Sequence, residues 1–408
     1  MTGRRTAKMR RGWLAGSAVA IGALLLGGES AKAQATADFC GCAGSPESLG
    51  SFNANDTATW PAGTVDIEGS CYPHIRIPVP ESGVLVFDSF TVSNRNTGCG
   101  TRNVTVSFVP NAANTPVTLL IRGDLTVGEG DLLSVRGSAG SNGSSGSNGI
   151  GGQGGPGGFA GGDGAYQLSN LASDGGAGIG PGGGAGSVAA GRVRAAGGTF
   201  FGVPELRPLV GGSGGGGGHS LTTGGSCSGG SGGAIRILAS AITGGGVIEA
   251  VGAGGGPEWG ELSDRGNGGG SGRIRLEAIS NSFAVNGTNP VAVRAPAPGP
   301  LANPITPTVT ITGVDGKATP VNPVGHRGQI DLLVDSPGSI QIDLATTDVP
   351  AGTAVEVTAK PKIGRAPFSQ RVTLAPSACS GGACTAAVVF ELDPGGYILE
   401  ARATFEAP

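Results

Sequence analysis

Charge is thin in this chain: charged residues make up 13% of its 408 positions, and the formal net charge is −3. No basic stripe runs through it, so neither composition nor patterning points to nucleic acid as a partner. After the N-terminal region, no apolar stretch is long enough for a transmembrane helix. No helical periodicity separates the apolar runs, which are short and alternating; such runs suit an all-β solenoid or sandwich. Phosphate-binding lysines are missing too. Gly-x-Gly-x-x-Gly matches recur throughout the glycine tracts, none is followed by the lysine of a nucleotide loop, and their number removes their meaning.

Glycine is what the chain has in excess. Its 82 glycines and 27 prolines together are 109 of 408 residues, about 27%, a level at which low complexity is usually inferred. Against disorder, 38% of the chain is hydrophobic, in runs that bracket the glycine tracts. Between Gly137 and Gly164, glycine falls at every third position without a break. A period of three belongs to an extended helix of the polyproline-II type, which lacks internal hydrogen bonds. Glycine on one edge lets another backbone approach closely. Collagen needs many prolines, and Pro156 is the only one in this stretch; the further glycines at Gly151, Gly154, Gly157 and Gly162 point to polyglycine-II helices packed within one chain. Asn142, Ser144, Ser145, Ser147 and Asn148 give the array a polar face.

Residues 1–33 read as an export signal. Arg4, Arg5, Lys8, Arg10 and Arg11 precede the apolar run Leu14 to Leu26, and Ala31-Lys32-Ala33 offers a cleavage site. Arg10-Arg11 fits Sec or twin-arginine export. The protein is therefore expected outside the bacterial cytoplasm: extracellular, periplasmic or on the cell surface. The 7 cysteines suit an oxidising compartment. Cys379 and Cys384 are placed to close a hairpin. Cys40, Cys42, Cys71 and Cys99 offer three connectivities, leaving Cys227 over. Irregular spacing argues against zinc.

Internal repetition favours a solenoid for the first part of the chain. Leu132–Gly137 aligns with Val247–Gly252, and Gly233–Ala239 aligns with Gly272–Ala278 at an offset of 39 residues. Strand, glycine excursion, strand is thus used at least twice, and the apolar island 199–210 is placed to anchor the array. Five prolines between Pro296 and Pro307 mark an extended linker. From Val309 the pattern turns to clean alternation, with seven short strands in about 100 residues, as in an immunoglobulin-like sandwich. The lack of tryptophan and of a Cys-Trp-Cys pattern separates it from antibody-type domains. The expected organisation is a signal (1–33), a cysteine-bearing cap (34–83), an all-β solenoid with polyglycine-II excursions (84–293), a linker (294–308) and a β-sandwich (309–408).

The run Leu206-Arg207-Pro208-Leu209-Val210 followed by Gly211-Gly212-Ser213 and four glycines, together with Gly232-Gly233-Ala234-Ile235-Arg236-Ile237, resembles blocks in Gly-rich exported bacterial proteins of surface or adhesin-like type. The resemblance covers roughly residues 84–293. It implies a β-helix-like fold and a surface role. In backbone type the glycine array is similar to those of phage tail-fibre adhesins and one class of insect antifreeze proteins.

Chemistry is sparse. The carboxylates of the repeat region form no catalytic pair apart from Glu258, Glu261 and Asp264, which surround Trp259 in a candidate sugar- or metal-binding tip; a solvated loop that breaks a glycine tract is the simpler reading. Arg122-Gly123-Asp124 lies within a strand block, where packing accounts for it. His219 and Cys227 lack an orienting third group. No cofactor or metal is expected. The expected function is structural or adhesive, with glycans, cell envelope or a surface protein as partners. The alternative is a carbohydrate-active β-helix enzyme with the sandwich as an accessory module. Ice or mineral binding is a third possibility.

Overall fold

A computed structural model describes residues 3–5, 46–67, 71–144, 146–166, 174–189, 193–200, 202, 206, 209–220, 224–256, 266–299, 307–364 and 366–405. Among these residues the regular structure is strand and short 3-10 turns, with no α-helix. The expected leader lies outside them, apart from Gly3–Arg5, which runs parallel to Leu399–Ala401.

The first part of the chain alternates between two facing parallel sheets. One sheet carries, in spatial order, Val293–Ala295, Arg273–Asn281, Ala234–Thr243, Val117–Val127, Phe90–Val92 and Phe52–Asn53, with Val84–Phe87 also beside Val117–Val127. The other carries Thr288–Asn289, Val247–Glu249, Leu132–Ser134, Thr105–Val109 and His74–Pro78, and ends in the antiparallel Val65–Asp66. Parallel strands cannot be joined by a tight hairpin; here the passage through the opposite sheet is the crossover.

The two sequence alignments are physical pairings. Leu132, Leu133 and Ser134 sit in register beside Val247, Ile248 and Glu249. Ala234–Ala239 pairs with Arg273–Ala278, again at an offset of 39 residues. Residues that align in sequence stack because each strand must present its apolar side chains to the same interior. Leu85, Leu119, Ile237 and Leu276 form one inward row, facing Ile75, Val106, Leu133 and Ile248 from the other sheet. All eight belong to one buried cluster. At one end Phe52, Phe87 and Phe90 close the core, with the Phe52 and Phe90 rings stacked at 4.3 Å.

The outer faces of the two sheets differ, as their sequences do. The first sheet is also covered outside, where Val86, Leu120 and Leu238 are buried together, and its strands read as near-continuous apolar runs. Beside that cluster, Glu277 accepts hydrogen bonds from Arg236 Nε (2.7 Å) and Arg275 Nε (2.5 Å) and from the Gly299 amide (2.7 Å). Val293–Ala295, at the start of the expected linker, forms the sheet's edge. The second sheet alternates, and its outward positions are polar apart from a few apolar ones such as Leu132 and Val247.

The glycine tracts leave the sheets and pack on one another as extended segments joined by backbone hydrogen bonds. These ladders advance in threes. Gly152 and Gly155 donate to Ser228 and Ser231; Gly184 and Ser187 donate to Gly214 and Gly217; Gly229 and Gly232 donate to Asn267 and Gly270. Gly212 and Gly215 donate to Gly232 and Gly229, the same step in antiparallel sense. A pleated strand would step by two. Of the ten glycines at strict threefold spacing, nine have a neighbouring atom closer than 3.0 Å to where a Cβ would stand; the tenth, Gly146, faces open space with φ at 92°. Within the apolar island, Leu206 is buried and Val210 packs beside Phe159, Ile179 and Ile398.

The C-terminal part is two antiparallel sheets around a common core. Thr308–Val314, Gly338–Thr347 and Ala383–Leu392 make the centre of one sheet; Leu332–Val334, Gly395–Ala403, Ala354–Pro361 and Phe368–Thr373 make the other. Ile342, Leu344 and Phe390 meet Val355, Val357 and Leu399 in its interior. This unit sits directly on the glycine bundle. Ile398 packs with Phe159 and Ile179, and the buried Lys360–Glu400 pair (3.0 Å) is built into the seam. Lys360 donates to the Gly178 carbonyl (3.0 Å), and Glu400 accepts from the Gly180 amide (2.8 Å).

Candidate functional site

Successive strands of the second sheet place outward side chains in rows. His74 lies beside Thr105 and Thr105 beside Leu132. One pleat further, Arg76, Ser107, Ser134, Glu249 and Asn289 lie side by side across five strands. At ~4.8 Å per strand, that polar row is roughly 19 Å long. The floor is held by its own bonds: His74 Nε2 and Ser107 Oγ are 2.8 Å apart, and Ser134 Oγ donates to Glu249 Oε1 at 2.8 Å.

Two other parts of the molecule wall this floor. The glycine tract leaves Ser134 through Arg136 and Gly137, then returns along Gln153–Gly155. From the far side, the turn Gly325–Arg327 of the C-terminal unit brings in His326 and Arg327. The wall is tied down: the Ala160 amide donates to the His326 carbonyl (2.9 Å), Gln153 Nε2 to the Arg327 carbonyl (3.0 Å), and Arg327 Nη2 to the Asn111 carbonyl (3.3 Å). The enclosed cleft measures about 750 Å³, within the ~300–1,000 Å³ typical of ligand sites. A smaller cavity of about 170 Å³ lies at the seam around Lys360, Glu400 and Arg402.

The cleft is basic. Arg76, Arg136 and Arg327 line it against one carboxylate, Glu249, so with histidines neutral its formal charge is three minus one, or +2. The whole chain carries −3. The guanidinium groups of Arg76 and Arg136 form no ion pair or hydrogen bond with a described residue. Phe108 is the one Phe, Tyr or Trp among the lining residues, beside the imidazoles of His74 and His326, and it is buried in the core.

Comparison with protein-family models, curated proteins and solved structures finds no match.

The expected tip Glu258, Trp259, Glu261 and Asp264 lies outside the described residues. So do Cys40 and Cys42, whereas Cys71 and Cys99 are joined, as are Cys379 and Cys384 across their hairpin. No group of three or more His, Cys, Asp or Glu among the described residues is arranged to hold a metal. Arg122-Gly123-Asp124 falls at a bulge inside Val117–Val127, where the Gly123 amide donates to the Asp88 carbonyl at 2.8 Å. His219 Nδ1 and Cys227 have separate partners, Ser187 Oγ at 3.1 Å and Asn142 Oδ1 at 3.1 Å. Burial pushes the Cys227 thiol up from its ordinary range. The cleft arginines were not singled out by sequence reasoning, because they come from three separate segments, the first and last about 250 residues apart. The available signal was alternation: His74-x-Arg76, Thr105-x-Ser107 and Ser134-x-Arg136 all put polar groups on one face.

Proposed function

We propose that the chain is an exported, non-catalytic structural or adhesive surface protein: a β-solenoid carrying a polyglycine-II bundle, with an immunoglobulin-like sandwich seated on it. The observation that carries this reading is the three-residue step of the glycine ladders, which favours a rigid platform over a flexible linker. A platform bonded through its backbone holds its loops and the adjoining cleft in fixed relation, as an adhesive surface requires. Two disulfides among the described residues suit an oxidising compartment, and no described helix is long and apolar enough to cross a membrane. The resemblance to Gly-rich surface proteins points the same way. The enzyme alternative draws on paired carboxylates, and among the described residues that line this cleft the one carboxylate is Glu249.

The test combines limited proteolysis with binding. The purified protein is treated with elastase, then applied to immobilised bacterial and plant polysaccharides while released sugar is assayed. Resistance through residues 137–233 with retention on a surface, and no soluble product, is the expected result. Rapid cleavage throughout that tract, or steady product release, overturns the reading.

A further inference from the structure

We propose that the cleft between the second parallel sheet and the Gly325–Arg327 turn is a binding site for an acidic glycan, one bearing carboxylate or sulfate groups. The inference rests on the adhesive reading above and assigns the ligand class of that site.

Three guanidinium groups from three segments converge there, and no described residue neutralises two of them. Arg76 and Arg136 have no partner among the described residues. Arg327 is held by neutral acceptors, the Asn111 carbonyl and the His326 ring. Glu249 is already occupied by the Ser134 hydroxyl. A half-enclosed cleft with unpaired cations favours an anion, and guanidinium groups bind planar carboxylate or sulfate oxygens in bidentate fashion. The floor between the arginines carries Thr105, Ser107 and Ser134 on adjacent strands. Hydroxyls at strand spacing can exchange hydrogen bonds with a ligand rich in hydroxyls. The lining carries no Tyr or Trp and its one Phe is turned into the core, while the imidazoles of His74 and His326 are held by Ser107 and the Pro323 carbonyl, so the broad aromatic faces that sustain single-stranded nucleic-acid binding are missing from the lining. Charge with hydroxyls and without an outward Phe, Tyr or Trp fits an acidic sugar chain better than a nucleic acid.

The full-length protein is titrated by calorimetry with oligogalacturonate (carboxylate), sulfated dextran (sulfate), neutral dextran and single-stranded DNA, at low and high salt. Expected is binding to one or both acidic glycans, weakened by salt, with no uptake of neutral dextran. The double variant Arg76→Ala/Arg136→Ala should lose about tenfold or more in affinity. Arg371→Ala, on the exposed far sheet, should change nothing. Both arginines point away from the core, and an unaltered melting temperature checks that the double variant folds. Equal binding to neutral dextran, preference for DNA, unchanged affinity in the double variant, or no binding to either acidic glycan overturns the proposal. If the protein adheres to surfaces by a route insensitive to these arginines, the site assignment fails while the adhesive reading survives. If an acidic glycan binds here and is cleaved, the site assignment survives and the non-catalytic reading fails.

Discussion

Glu277 shows how one buried charge is kept ionised. Burial acts to raise its pKa, but hydrogen bonds from Arg236 and Arg275 and the Arg236 charge outweigh that and hold it at about 2, below an ordinary 4.5. A carboxylate more acidic in the folded state stabilises the fold above its unfolded pKa and loses that contribution as pH falls. The difference between 4.5 and about 2 corresponds to about 3 kcal/mol. Denaturation followed from pH 7 to pH 2 should therefore show stability falling below about pH 4.5. Glu277→Gln should be less stable at pH 7 and show a flatter acid profile. An unchanged profile in the variant would assign the acid sensitivity to other groups. The alternating arginines of Ile235-Arg236-Ile237 and Ile274-Arg275-Leu276 were legible in the sequence. The carboxylate between them, and the Gly299 amide that completes its shell, required the register.

At the scale of the element, the glycine segments are shaped by what cannot fit beside them. A Cβ at Gly155 would clash with the Val135 carbonyl oxygen, whereas one at Gly254 meets nothing within 4 Å. Overpacking against backbone costs about 1–3 kcal/mol or more. Gly155→Ala should lower the unfolding free energy by an amount in that range, read from the shift in denaturation midpoint, and open the tract to elastase, while Gly254→Ala should stay within about 0.5 kcal/mol of the parent. Equal effects at both positions would mean that close approach is not what the glycines serve. The period of three announced these segments in advance. Which segment lies against which could not be read, because bare glycine edges are interchangeable and carry no side chain to mark a partner.

At the scale of the molecule, the C-terminal unit is fastened by a buried ion pair. The Lys360 and Glu400 side chains are 10% and 6% exposed and also bond to backbone groups of Gly178 and Gly180. Removing one partner strands the other charge, so Glu400→Ala should cost about 3–5 kcal/mol. The double variant Lys360→Met/Glu400→Leu should recover much of that, because an apolar pair leaves no charge buried. A double variant no better than the single would show that the bonds to glycine backbone dominate. This seam also shapes the cleft, since the same unit delivers His326 and Arg327 to its wall.

The sequence alone determined the all-β class, the extended glycine segments, the alignment of stacked strands and the hairpin disulfide. Each of these is written in local period or short-range spacing: two for strands, three for the extended glycine segments, and a pair of cysteines across a turn. The tertiary structure decided where the C-terminal unit docks, which outer sheet face stays open, and that Arg76, Arg136 and Arg327 share one cleft. Those outcomes depend on contacts between segments hundreds of residues apart, where the pattern marks a position as outward or inward but does not say what it will face.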